Sequence, residues 1–212
     1  MLYNVICVTF SVMVLMSNII SAKMVALPFL DFSIPAGLVF YPITFLLSDL
    51  VTELFGVKRA KEMVYMALAM NLLSFAMIEL TLILPTQNFE EQGAFRIVWG
   101  LSGLRIFASL TAYAIAQIAD IYLYAWIKRW TGPRFLWLRN NASTCISQII
   151  DTAAIDIIYL YWGLSMDIAQ VLPIMIFSYT YKAFFSLAST PLFYYFVFSF
   201  NNKWIKINQL HA

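Results

Sequence analysis

Eight ionisable side chains stand inside stretches that are otherwise apolar: Asp49, Glu53, Glu79, Asp120, Asp151, Asp156, Arg105 and Lys182. An ionised group at the centre of a membrane helix costs roughly 2.5–3.5 kcal/mol even on a lenient insertion scale. Eight such groups, all central and unpaired, would cost on the order of 20 kcal/mol. They must therefore pair, face a bundle interior or line a wet cavity, and ionisable groups at that depth mark function by default. Arg105 and Glu53 are near enough to span ends to snorkel. Glu79 and Asp156 sit on less polar faces and are set aside.

Helical spacing gathers the rest into stripes. Arg105, Ser109, Tyr113, Gln117 and Asp120 fall on one flank of a helix. Asn141, Thr144, Gln148, Asp151 and Thr152 share a second face, and Ser178, Lys182, Ser186 and Ser189 a third. Tyr41, Thr44, Ser48 and Thr52 align, flanked by Asp49 and Glu53, while Asn18 with Ser21 and Asn71 with Ser74 add polar positions elsewhere. Serines and threonines in membrane helices commonly bond their own backbone or ease close packing, and Asn18 and Asn71 read equally well as glue between helices. The ionisable groups and Gln148 do not, and together the stripes imply a shared polar interior. Carboxylates accept paired N–H donors such as a guanine-like edge offers, amides present a donor beside an acceptor, and aromatic rings can sandwich a flat heterocycle. A planar, hydrogen-bonding small molecule suits this chemistry better than a lipid or a metal ion. The charges are dispersed over different helices with no filter-like repeat, which argues against an ion channel.

The elements that must position these groups follow from composition. Of 212 residues, 62% are hydrophobic and 11% charged, with a mean hydropathy of +0.80; ordinary soluble domains have about 45–50% apolar and about 25% charged residues. A soluble enzyme, a disordered chain and a nucleic-acid-binding domain are excluded, and a net charge of +2 suggests no polyanionic partner. The expected architecture is all-α: one transmembrane domain over 1–212, a bundle of six helices at about 2–22, 34–54, 63–84, 102–127, 141–162 and 171–200. The first stretch has no basic residues before it and no small-residue cleavage site, so it reads as a retained helix. Pro35, Gly37 and Pro42 should interrupt the second, and Pro191 should kink or tilt the last. Lys58, Arg59, Lys61, Lys128, Arg129, Arg134, Arg139, Lys203 and Lys206 fall on one side of this topology, against Lys23 and Arg96 on the other. That bias places both termini in the cytoplasm. Cys7 and Cys145 form no CxxC pair. His211 is the one histidine, which excludes a histidine metal site or a Ser–His or Cys–His pair at membrane depth. An intramembrane enzyme built on Asp49 and Asp151 lacks an accompanying metal cluster or nucleophile–base set. The sequon Asn141-Ala142-Ser143 falls on the wrong side of the membrane to be used.

Three blocks of residues are familiar. Ser17-Asn18 with Lys23, Pro35-Ala36-Gly37, Phe40-Tyr41-Pro42 and the run Asp49-Leu50-Val51-Thr52-Glu53-Leu54-Phe55-Gly56 form the first. Arg105-Ile106-Phe107-Ala108-Ser109-Leu110 with Tyr113, Gln117 and Asp120 form the second, and Trp137 to Thr144 with Ser147-Gln148 and Asp151-Thr152 the third. Over residues 1–200 they resemble the vitamin uptake transporter family, in particular its queuosine precursor transporters. The resemblance implies import of 7-deazaguanine compounds (7-cyano- or 7-aminomethyl-7-deazaguanine, or queuine) across the bacterial inner membrane, for tRNA modification. It is weakest in the 85–101 loop and the last span. No catalytic residue, metal or cofactor is expected. Substrate contacts are expected from Asn18, Tyr41, Asp49, Glu53, Arg105, Gln117, Asp120, Arg139, Asn141, Gln148, Asp151 and Lys182. Within that set Asp151 or Glu53 would take the ring N–H and exocyclic amine, and Gln148, Asn141 or Arg139 would donate to the carbonyl. Asp49 would meet an aminomethyl tail. No phosphate-binding loop GxxxxGK[ST] is present, so transport is either secondary, with protons as one candidate driver, or powered by a separate subunit. The alternatives are a substrate-binding subunit of an ATP-driven importer and a carrier of another vitamin or nucleobase. The expected partners are the substrate, the bilayer and a second copy in a homo-oligomer, a dimer first, with no nucleic acid.

Overall fold

The computed structural model describes residues 1–21, 23–26, 33–99, 103–132, 135–163 and 165–210. It is a helical bundle. α1 (Leu2–Ile20) is an apolar run free of glycine and proline, closed at Ser21, whose hydroxyl donates to the Ser17 carbonyl at 2.6 Å. The chain then leaves helical conformation. β1 (Met24–Ala26) pairs antiparallel with β2 (Ser33–Pro35), Val25 opposite Ile34, and a 3₁₀ turn follows at Ala36–Val39. Gly37 is required there, because an added Cβ would collide with the Ser17 carbonyl and the Ser21 hydroxyl.

α2 (Pro42–Ile83) begins with its proline in the first turn, where the missing N–H costs nothing. The interruption expected within the second stretch is thus confined to residues before the helix. At 42 residues and 1.5 Å per residue, a straight α2 would be about 63 Å long, twice the hydrocarbon core of about 30 Å. It is not straight. Gly56 breaks it with φ 85° and ψ 169°, a conformation essentially confined to glycine. Pairings on either side give the direction of each half. Thr44 meets Gln117, Ser48 meets Asp120 and Glu53 meets Tyr124, so the first half runs alongside α4 (Gly103–Thr131) in the same direction. Beyond Gly56, the Arg59 carbonyl accepts from Tyr3 at 3.0 Å, and Asn71 accepts from Asn18, which in turn accepts from Ser109. The second half therefore climbs back along α1 toward the start of α4.

α3 (Phe89–Trp99) occupies part of the segment read as a loop. Its first turn is capped by Asn88, whose Oδ1 accepts from the Glu90 and Glu91 N–H groups, and those acids complement the helix dipole. α5 (Leu136–Ile155) starts five residues ahead of the expected 141 and passes into a π-helical segment, Asp156–Gly163. α6 (Ile168–Leu210) carries Pro173 and Pro191 inside it. Among the described residues, five helices are long and apolar enough to cross a membrane: Leu2–Ile20, Ala36–Ile83, Ser109–Thr131, Leu136–Trp162 and Ile168–Phe200. The protein is a multi-pass all-α membrane protein. The difference from six lies in α2, which contains both the second and third expected stretches.

The Gly56 conformation gives a stability prediction. Gly56→Ala should lose about 1–3 kcal/mol of unfolding free energy, with no steric clash to blame, since nothing lies within 4 Å of an added Cβ. Gly93→Ala, equally uncrowded but inside α3, should be neutral or gain up to about 1 kcal/mol. Reversible unfolding in mixed micelles, followed by circular dichroism, makes the comparison.

Candidate functional site

The polar faces of α2, α4, α5 and α6 meet inside the bundle. Between α2, α5 and α6 they leave a cleft of about 260 Å³ counted out to its mouth. Pro42, Phe45 and Leu46 line it from α2, Asn140, Thr144 and Gln148 from α5, and Lys182, Ser186 and Ser189 from α6. The i, i+4, i+8 spacing of Asn140, Thr144 and Gln148 puts them on one helical face. The enclosed room is only about 10 Å³, no more than one water needs, so the lining helices must part to admit a planar heterocycle.

One wall is charged. The Lys182 ammonium donates to Asp151 Oδ2 at 2.6 Å and to Thr152 Oγ1 at 3.2 Å. Tyr41 donates its hydroxyl to Asp151 Oδ1 at 3.1 Å and holds its ring 5.2 Å from the Lys182 nitrogen. Both charges are withdrawn from the surface, Asp151 at 1% and Lys182 at 4% exposure. The other wall carries an unmet demand. Gln148 is 1% exposed, and among the described residues neither its amide nitrogen nor its amide oxygen has a partner. The Asn140 amide oxygen, also buried, has none. A buried polar group without a partner costs about 1–3 kcal/mol, and a donor and acceptor held side by side at a cleft wall are what a complementary amide edge would satisfy.

Other expected site residues are used elsewhere. Glu53 is bound by Arg139 at 2.7 Å, Lys128 at 3.0 Å and the Tyr124 hydroxyl at 2.9 Å. Arg139 also donates to the Gly132 carbonyl at 2.7 Å. This cluster ties the end of the first half of α2 to the end of α4 and the start of α5, away from the cleft lining. Asn141 is fully engaged, donating to the Trp137 carbonyl and to Thr190 at 2.8 Å each and accepting from Ser186 and Thr190. Asn18 joins Asn71 at 3.0 Å and Ser109 at 2.7 Å, a bridge between α1, α2 and α4. Gln117, Asp49 and Asp120 lie in the α2–α4–α5 interface: Gln117 donates to Thr44 at 3.5 Å, Thr144 to Asp49 at 3.3 Å and Ser147 to Asp120 at 2.9 Å. Arg105 is on α4, with its side chain outside the described residues. Of the twelve expected contacts, the cleft and its charged wall bring together Tyr41, Gln148, Asp151 and Lys182.

Asn140 and Phe45 line the cleft without having been singled out. Asn140 is four residues before Thr144 on the Gln148 face, and that periodicity was the available signal. Phe45 offered none, being one apolar residue among many.

The charged wall predicts non-additive stability effects. Asp151→Asn strands the Lys182 ammonium and should cost about 3–5 kcal/mol. Adding Lys182→Met should recover most of that, because it removes the stranded ammonium and leaves only a neutral amide that Tyr41 and Thr152 can still meet. Thermal unfolding in detergent reads the difference; a double variant no more stable than the single would contradict it.

Residues 35–196 match the protein-family model described as "Putative vitamin uptake transporter". Among curated relatives, the "Probable queuosine precursor transporter" of Bacillus subtilis (strain 168) is 31% identical over 160 residues, 74% of this chain and 69% of that protein. The "Queuosine precursor transporter" of Escherichia coli (strain K12) is 29% identical over 126 residues, 59% of this chain and 54% of that protein. No solved structure matches the chain.

Proposed function

The chain belongs to the vitamin uptake transporter family, whose members are transporters and not enzymes, and from that premise we propose that it imports queuosine precursors. The substrates are 7-deazaguanine compounds: 7-cyano-7-deazaguanine, 7-aminomethyl-7-deazaguanine or queuine. The observation that carries this is the Gln148 amide, buried at the cleft wall with both polar atoms unpartnered. A deazaguanine edge presents a ring N–H beside a carbonyl, which an amide meets with its oxygen and its nitrogen. Asp151 takes the exocyclic amine in competition with Lys182, and Tyr41 and Phe45, whose rings stand 5.8 Å apart, flank the heterocycle. Asn18, Asp49, Glu53, Arg105, Gln117, Asp120, Arg139 and Asn141 hold the helices around this site or serve steps other than recognition.

The same reading covers topology. The two halves of α2 are two crossings, giving six in one domain over residues 1–212 in the bacterial inner membrane. Lys58, Arg59, Lys61, Lys128, Arg129 and Arg139 lie at the bundle end that holds Tyr3 and Glu53, and this supports cytoplasmic placement of both termini. Transport is secondary and proton-coupled, and the working unit is a homodimer.

Two measurements test the proposal. In a bacterium unable to make queuosine precursors, expression should restore queuosine to tRNA when one of the three compounds is fed; failure with all three would end the reading. Gln148→Leu should cut uptake at least tenfold, about 1.4 kcal/mol of recognition. It should not lower the unfolding free energy, since an apolar isostere removes two unmet polar atoms. Unchanged uptake would place recognition elsewhere.

A further inference from the structure

Two buried carboxylates stand apart from both ion-paired clusters. Asp49 is 1% exposed and Asp120 is fully buried. They lie on facing sides of the α2–α4 interface: Ser48, next to Asp49 on α2, reaches Asp120, while Thr144 and Ser147 of α5 reach Asp49 and Asp120 in turn. Glu53 has Arg139 and Lys128, and Asp151 has Lys182, but among the described residues neither Asp49 nor Asp120 has an ion-pair partner. Glu53, one turn after Asp49 on α2, takes Arg139 from α5, Lys128 from α4 and the Tyr124 hydroxyl of α4, so those two cations are already spent. Leaving two carboxylates charged here would carry the desolvation cost of both without a counter-ion to offset it.

The surroundings are arranged to carry a change of charge. The Ser147 hydroxyl reaches Asp120 Oδ1 at 2.9 Å and its own helix's Thr144 carbonyl at 3.0 Å. The Ser48 hydroxyl reaches Asp120 Oδ2 at 3.4 Å and the Phe45 carbonyl at 3.2 Å. Each therefore has two acceptors for one proton: an ionised Asp120 draws both, and a protonated one releases them to the backbone. A separate observation points to an incoming donor. Gln117, fully buried one turn before Asp120 in the same interface, has an amide oxygen with no partner among the described residues, and Asp49 has none there at Oδ1. Thr144 connects this place to transport, since its hydroxyl donates to Asp49 at 3.3 Å while the residue lines the cleft.

We propose that Asp49 and Asp120 together bind the proton whose movement drives transport, at a site distinct from the substrate cleft. The proposal rests on the reading of the chain as a secondary importer and names the residues that do the coupling. One proton is taken up by the pair from the outside, shared between the two carboxylates during the crossing, and released inside with one substrate molecule. The pair holds a proton and not a sodium ion, because sodium sites in transporters draw on carbonyls of unwound backbone. Here α2 through residue 55, α4 and α5 are continuous helices whose carbonyls are already taken.

The test uses the full chain in proteoliposomes, with 7-cyano-7-deazaguanine outside and a pH-sensitive dye inside. In wild type, adding substrate with no imposed gradient should acidify the lumen. An outside-acid gradient should raise accumulation at least tenfold, and an inward sodium gradient should not. Asp120→Asn and Asp49→Asn should abolish the acidification and the gradient-driven accumulation. Ser147→Ala keeps both carboxylates and removes one hydroxyl hydrogen bond to Asp120. It should move the pH midpoint of uptake by roughly 0.7 of a unit without abolishing uptake, which keeps the test decisive if an Asp variant fails to fold. Substrate entry without acidification, accumulation driven by sodium, an unmoved midpoint in Ser147→Ala, or acidification persisting in either Asp variant would overturn the proposal. No entry of 7-cyano-7-deazaguanine, and none of 7-aminomethyl-7-deazaguanine or queuine offered in its place, into wild-type vesicles would instead overturn the function on which it rests.

Discussion

A charge placed inside an apolar bundle has to be neutralised where it stands, because neither water nor a screening ion reaches it. In this protein the 2.6 Å contact between Lys182 and Asp151 does that for the cleft. It joins α5 to α6, and Tyr41, bonded to the same carboxylate, brings in the residue just ahead of α2. The geometry of the cleft depends on it: Gln148 is one turn before Asp151, so fixing Asp151 fixes where the unmet amide points. At the other end of the bundle Glu53 plays the corresponding part, holding Arg139 and Lys128 and so the ends of α2, α4 and α5.

That pairing also explains where the sequence misleads. Arg139 ends the apolar window and makes residues 136–140 look like a loop outside the membrane, yet the residue is 3% exposed. Its charge is cancelled by Glu53, 86 positions earlier, and a hydropathy window cannot see a partner at that distance. The same blindness hides that Glu53 and Arg139 are each other's partners. The stripe on α5 was legible because period 3.6 is local, and it correctly brought Thr144, Gln148 and Asp151 to one face. Whether Asn140 or its neighbour Asn141 turns to the cleft depends on which side α6 packs, and Ser186 and Thr190 of α6 claim Asn141. Proline and glycine spacing located the non-helical stretch before α2, but nothing local marks Gly56 as a reversal, since glycines recur in membrane helices for packing reasons.

Membership of a transporter family gives the tightness of the cleft a meaning. A carrier must close over its substrate and open on each side in turn, usually by rocking one group of helices against another. The contacts described here sort into those that hold and those that can exchange. Apolar packing of Phe10, Val14, Met63 and Val64 between α1 and the second half of α2 is fully buried and offers no alternative partner. The Lys182–Asp151 pair, the Glu53 cluster and the hydroxyls around Asp120 are electrostatic, and each can trade a protein partner for substrate, water or a proton.

The central claim is that a deazaguanine is recognised at the cleft between α2, α5 and α6 by the Gln148 amide. A structure of the protein bound to 7-cyano-7-deazaguanine, by electron cryo-microscopy in a lipid nanodisc, tests it most directly. The account predicts the heterocycle edge-on to Gln148 within hydrogen-bonding distance, its amine at Asp151 and its face against Phe45. Density for the compound at Glu53 and Arg139, or anywhere that leaves Gln148 unpartnered, would contradict it.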